Sequence, residues 1–61
     1  MDTLKKSELS SIENILTNEQ IIIKRYKLFA FEAKEQEFKE LYKNAANIHQ
    51  KHFNTLVSYL K

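Results

Sequence analysis

The chain has 61 residues, with ten basic against eight acidic residues and a net charge of +2, and it contains no glycine, proline, cysteine or tryptophan. This length allows one small domain, and without disulfide bonds we expect its stability to depend on partners or on a metal. The interspersed charges argue against nucleic-acid binding, and the lack of a long apolar stretch or signal peptide predicts an intracellular protein with no membrane contact.

The first half of the chain predicts one amphipathic helix. Its apolar residues recur in steps of three and four, the spacing of a helix packed against another helix. They are Leu9, Ile12, Leu16, Ile23, Tyr26, Ala30 and Ala33. We expect this helix to begin at about Thr3 or Ser7 and to end at Glu32. Thr17 and Gln20 have capping-box spacing, which leaves a three-helix alternative with a break near residue 17.

The second half repeats this spacing and predicts a second helix over about 36–60. Its apolar row consists of Phe38, Tyr42, Ala45, Leu56 and Tyr59, widened by Leu41, Ile48, Phe53 and Leu60. Residues 33–36 lack a core position and form the predicted turn. Without glycine or proline, one unbroken helix of about 80 Å remains an alternative. Folding back lets each apolar stripe cover the other, so we expect a single all-α domain over 1–61, an antiparallel helical hairpin that dimerises.

Three polar residues interrupt the apolar rows. Glu19 lies in the row of the first helix, and His49 and His52 lie in the row of the second. With a turn near residues 34 and 35, Glu19 faces about residue 50, and Tyr26 is level with Tyr42. Buried polar groups need partners, so we expect either a hydrogen-bonded polar seam, the favoured interpretation, or a site for zinc, iron or manganese.

Two association surfaces follow from the same spacing. The residues expected to mediate self-association are Leu9, Ile12, Leu16, Ile23, Tyr26, Phe38, Tyr42, Phe53 and Leu56. Ile21, Leu28 and Phe31 point away from this surface and form a candidate outer assembly surface. No residue has a spacing typical of an enzyme site, so we expect no catalysed reaction and no cofactor.

A resemblance adds a biological context. Ferritin-like carboxylate proteins carry a core glutamate on one helix and Glu-x-x-His on the next; here His49-Gln50-Lys51-His52 has histidine at the glutamate position. The runs SELSSIENILTNEQIIIKRY from Ser7 and ANIHQKHFNTLVSYL from Ala46 resemble small clostridial and bacillar spore coat proteins of the coat-F type. The resemblance implies a ferritin-like four-helix bundle of two hairpins, deposited in the spore coat with other coat proteins.

The favoured function is therefore structural, a small coat or assembly protein that acts through self-association. One alternative is a ferritin-like metal-binding or redox protein that uses Glu19, His49 and His52. Two glutamates per dimer are too few for the bridging carboxylates of a di-iron oxidase, so oxygen chemistry is disfavoured. Another alternative is a helical adaptor or regulator that presents one face to a different protein.

Overall fold

The computed structural model describes residues 5–60, which form two α-helices packed against each other. Helix α1 covers Lys6–Glu32 and helix α2 covers Gln36–Ser58, with no strand in this part of the chain. The expected all-helical fold of two packed helices is therefore confirmed. The single unbroken helix is wrong, because the chain turns between the two helices. Neither helix of the described range has an apolar stretch long enough to cross a membrane.

The first helix begins at its own capping interaction. The backbone N–H of Lys5 donates to the Glu8 carboxylate at 3.0 Å, which satisfies one of the free donors at the helix start. The earlier start that the sequence suggested at Thr3 lies outside the described residues. Helix α1 runs through Thr17 without a break, and the Thr17 hydroxyl donates to the carbonyl of Glu13 at 3.1 Å instead of capping a new helix. The three-helix alternative is therefore wrong.

The turn between the helices is shorter than the predicted one and is closed by a lysine. Ala33 and Glu35 adopt extended backbone angles at the two helix ends. The Lys39 ammonium reaches back from α2 and donates to the carbonyls of Ala30 at 3.1 Å and Phe31 at 3.3 Å. These carbonyls have no partner within the helix, so Lys39 replaces the glycine that commonly ends a helix. Helix α2 ends at Ser58 rather than at Leu60.

We expect Lys39→Met to destabilise the hairpin by about 1–2 kcal/mol, because two carbonyls at the negative end of α1 lose a charged donor. Methionine keeps the length and most of the apolar stem of lysine. Lys51→Met on the exposed side of α2 is a matched control that should change the free energy of unfolding by less than about 0.5 kcal/mol. Urea unfolding followed by circular dichroism measures both. Equal effects of the two substitutions would contradict the capping role.

The core of the hairpin is small. Only Ile23, Ala30 and Ala46 are buried among the described residues, and the Cα atoms occupy 48 × 16 × 11 Å. These dimensions describe one layer of two helices. A stable domain normally needs two packed layers around a core. The isolated hairpin therefore has an apolar side with no second layer to cover it.

Candidate functional site

Glu19 and His49 form a direct contact near the middle of the hairpin. Glu19 belongs to α1 and His49 to α2, 30 positions later in the chain, and their Oε1 and Nδ1 atoms are 2.6 Å apart. A carboxylate oxygen accepts, so the imidazole donates from Nδ1–H and leaves Nε2 free. The Glu19 side chain is only 13% exposed, and that of His49 is 27% exposed. The antiparallel pairing thus brings together the two residues that the sequence placed level with each other.

His52 lies at the edge of this pair. Its Nδ1 is 3.5 Å from Oε2 of Glu19, which is too long for a good hydrogen bond. Its ring meets that of His49 edge-on, with centroids 5.5 Å apart. The His52 side chain is 57% exposed, more than its place in the apolar row predicted. The reason is rotational, since Ala46 marks the centre of the α2 contact and His52 lies about 120° around the helix from it.

Aromatic rings surround the polar pair on the side toward the turn. The Tyr26 ring stacks on His49 at 5.7 Å, and it lies 6.3 Å from the ring of Tyr42 at the level that the sequence predicted. Phe29 packs against Tyr42 at 5.6 Å, and Phe38 stacks on Tyr42 at 6.5 Å. Stacking fixes the plane of the His49 ring, so this cluster holds its Nδ1 toward Glu19.

The three polar residues have the donor chemistry of a metal site. One ligand atom from each of Glu19, His49 and His52 lies within 4.8 Å of the others. Imidazole nitrogen and carboxylate oxygen suit zinc, iron or manganese. Two ligands of one tetrahedral zinc ion are about 3.4 Å apart, because each bond is about 2.0–2.1 Å long. The 2.6 Å contact of Glu19 with His49 is a hydrogen bond, so an ion would have to separate these two groups.

One side of the hairpin carries a row of exposed apolar residues. Lys27 of α1 and Lys43 of α2 line the same groove, which marks one side of the helix pair. Phe29 and Leu41 lie about 160° around their helices from these lysines and therefore belong to the opposite side. Ile15 and Ile22 precede Phe29 and Ile48 follows Leu41 at heptad spacing, and Phe38 lies about 60° around α2 from Leu41. We call this the apolar face; it consists of Ile15, Ile22, Phe29, Phe38, Leu41 and Ile48.

The apolar face is largely exposed, and the polar site lies within it. Leu41 is 56% exposed and Ile48 is 52% exposed, although both are large aliphatic residues. The exposed ring of His52 lies on this side, about 40° around α2 from Ile48. A hairpin that covered this face with a second layer would therefore also cover Glu19, His49 and His52.

The residues that the sequence selected for self-association differ from this face. Ile23 is buried within the hairpin. Six more are partly buried and two, Leu9 and Phe38, are exposed. The partly buried ones are Ile12, Leu16, Tyr26, Tyr42, Phe53 and Leu56. Of the nine, only Phe38 belongs to the apolar face, because most of the others lie nearer the line of contact between α1 and α2.

The candidate outer surface is exposed, as its position opposite Glu19 predicts. Ile21 and Leu28 lie one heptad apart on the outer side of α1, and both are exposed. Phe31 is 83% exposed but lines the groove that contains Lys27 and Lys43. The outer ridge therefore consists of Ile21 and Leu28, and Phe31 belongs to a different part of the surface.

Comparison with known proteins adds no relative: no family model matches the chain, and neither the curated proteins nor the solved structures contain a match.

Proposed function

We propose that this chain is a structural protein that acts by self-association, with two hairpins packed into a four-helix bundle through their apolar faces and no catalysed reaction. The apolar face carries this proposal. A single layer of helices leaves large aliphatic and aromatic side chains in water, and a second identical layer covers them. Several exposed large apolar residues on one side of a small protein are typical of an association site.

The energetics favour a second layer. The five most exposed members of the apolar face are each roughly half covered in the hairpin; they are Ile15, Phe29, Phe38, Leu41 and Ile48. Completing the burial of such a side chain contributes roughly 1 kcal/mol. Their sum is a large fraction of the stability of a small domain, which is about 5–15 kcal/mol. Dimerisation would therefore supply much of the free energy that a 61-residue chain without cross-links lacks.

In this dimer the Glu19–His49 pair is a polar seam within an apolar interface. Buried polar pairs add little net stability, but they penalise registers in which they lose their partners. The central position of Glu19 in α1 therefore makes the seam a register marker for the bundle. The resemblance to coat-F type proteins supports a place in the spore coat. There the ridge of Ile21 and Leu28 would contact neighbouring coat proteins.

A second candidate function is metal binding at Glu19, His49 and His52. The proximity of their three ligand atoms favours it. Two imidazoles and one carboxylate would hold zinc, iron or manganese, and the ion would stabilise a chain that has little other means of support. One carboxylate per hairpin supplies few bridging ligands, so we propose a structural ion and not a redox centre.

Self-association is tested by sedimentation equilibrium and thermal melting over a range of chain concentrations. We expect a dimer whose melting temperature rises with concentration, because mass action stabilises an associated folded state. A fully helical monomer with a concentration-independent melting temperature would contradict the proposal. That result would instead favour an adaptor that presents the apolar face to a different protein. A melting temperature that falls on chelation would favour the metal-binding candidate.

A further inference from the structure

The side of the hairpin opposite the apolar face has a different chemistry. A groove of about 390 Å³ runs between the helices, with the small side chains of Ala30 and Ala46 among the residues that line it. Lys27, Lys39 and Lys43 also line it. A neighbouring hollow of about 180 Å³ shares Lys27 and adds Lys24 together with Gln20 and Gln50. We call these two hollows together the lysine groove.

The described side chains that line the lysine groove carry positive charge and no negative charge. Among the described residues that line it, none carries a carboxylate. Within residues 5–60, the ion pairs involve Glu19 and not these lysines. The positions three and four residues before and after Lys24 and Lys27 on α1 contain no acidic residue, whereas on α2 Glu35 lies four positions before Lys39 and Glu40 lies three positions before Lys43. A cleft with one sign of charge and apolar walls focuses the electrostatic potential and concentrates counter-ions.

One of the lysines is held in place. Lys39 donates to the carbonyls of Ala30 and Phe31, so the C-terminal end of α1 fixes its ammonium at the end of the groove. An ammonium has three donors, and these contacts use two of them. The remaining donor is free for a ligand in the groove. Lys39 therefore supplies a pre-positioned charge. The side chains of Lys27 and Lys43 are exposed and can turn toward a ligand in the groove.

The spacing of the four lysines indicates the size of the anion that the groove can bind. Lys24 and Lys27 are separated by about 4.5 Å along α1, and Lys39 and Lys43 by about 6 Å along α2. Lys39 contacts Ala30, which lies six positions after Lys24, so the four lysines are spread over about 9 Å along the helix axes, less than two helical turns. This compact arrangement matches a small anion with several charges better than an extended nucleic acid, whose charges are spread along its backbone. Lysine is a common binder of phosphate groups, as a point charge.

We propose that the lysine groove binds a small multivalent phosphate, a compound with two or more linked phosphate groups. The site is on the side of the hairpin away from the apolar face, so it stays open when two copies associate. It is independent of both the self-association and the metal-binding candidate. Inorganic pyrophosphate is the simplest probe of this chemistry.

The test is calorimetric titration of the full chain with pyrophosphate, with orthophosphate and sulfate as comparison at equal ionic strength. We expect saturable binding of one pyrophosphate per chain, about tenfold tighter than orthophosphate, because the larger anion contacts more lysines. Lys27→Gln with Lys43→Gln should weaken binding about tenfold, because it removes two of the charges that contact the anion. Lys39 is left unchanged because it also caps α1.

Lys34→Gln with Lys51→Gln is the matched control, because it removes the same charge from outside the lysine groove. We expect this pair to weaken binding less than about twofold. Equal losses in the two double variants would overturn the proposal and assign the binding to net charge. Absence of saturable pyrophosphate binding would also overturn it. If RNA binds more tightly than pyrophosphate, the proposal is wrong and the groove is a nucleic-acid-binding surface. Circular dichroism checks that each variant keeps its helicity.

Discussion

A chain with Leu41→Lys and Ile48→Lys is expected to sediment as a monomer and to lose most of its helicity. These side chains are the most exposed aliphatic members of the apolar face on α2. The proposed dimer buries both, so the change removes roughly 2 kcal/mol of apolar burial per chain and places two ammonium groups at the interface, each at a cost of several kcal/mol. Sedimentation equilibrium and circular dichroism at equal concentration measure the result.

Ile21→Lys with Leu28→Lys is the matched control. It also replaces an exposed aliphatic pair one heptad apart, but on the outer ridge of α1. The two double variants have the same charge, so long-range repulsion between chains is similar. We expect the control to keep the dimer and its helicity, and to lose any assembly larger than the dimer. A dimer that survives the α2 substitutions and dissociates with the α1 substitutions would place the interface on the outer ridge instead.

Much of the fold can be predicted from the sequence because the fold depends mainly on the spacing of the apolar residues. Apolar residues in steps of three and four predict two helices that pack on each other, and the structure has them. The gap in this pattern after Ala33 locates the turn without a glycine or proline, because a helix that has no apolar residue to bury is not stabilised by packing. Antiparallel pairing about this turn then brings Glu19 to His49 and Tyr26 to Tyr42.

The sequence did not predict which apolar residues face the other helix and which stay exposed, because this depends on the rotation of each helix about its axis. Periodicity defines an apolar arc, but it does not decide which part of the arc meets the other helix of the same chain and which part remains for a partner. Ala46, a small residue, takes the centre of the contact, so His52 lies on the flank of α2 and Ile48 lies about 160° around the helix from Ala46. Phe29 lay outside the predicted row for the same reason, although it packs on Tyr42.

The capping role of Lys39 had no local signal. A lysine that caps another helix acts across the turn, nine positions from Ala30, and no sequence rule for helix ends covers this case. The lysine groove also arises from contact between the two helices and has no local sequence signal. Lys24 and Lys27 lie on α1, Lys39 and Lys43 lie near glutamates on α2, and the four form a cluster only when the helices are antiparallel. Charge patterning along the chain therefore underestimated the basic side of the hairpin.

Replacing both members of the central pair, Glu19→Leu with His49→Leu, is expected to raise the free energy of unfolding by about 1–4 kcal/mol, because apolar residues of similar volume replace a polar pair and leave neither member without its partner. The melting temperature should rise by about 10 °C. Glu19→Leu alone should be less favourable, because the Nδ1–H of His49 then loses its acceptor. Thermal melting of wild type and both variants in chelator gives these values.

The same variants separate the polar seam from the metal site. For a seam, added zinc leaves the wild-type melting temperature unchanged, and the double variant remains the most stable of the three. For a ligand set, zinc at 100 times its dissociation constant would stabilise the wild type by about 2.7 kcal/mol, and the double variant would lose this response. Glu13→Gln, an exposed change on the same helix, should respond to zinc like the wild type. If zinc raises the melting temperature only of chains that keep Glu19 and His49, these residues are metal ligands and the polar-seam interpretation is wrong.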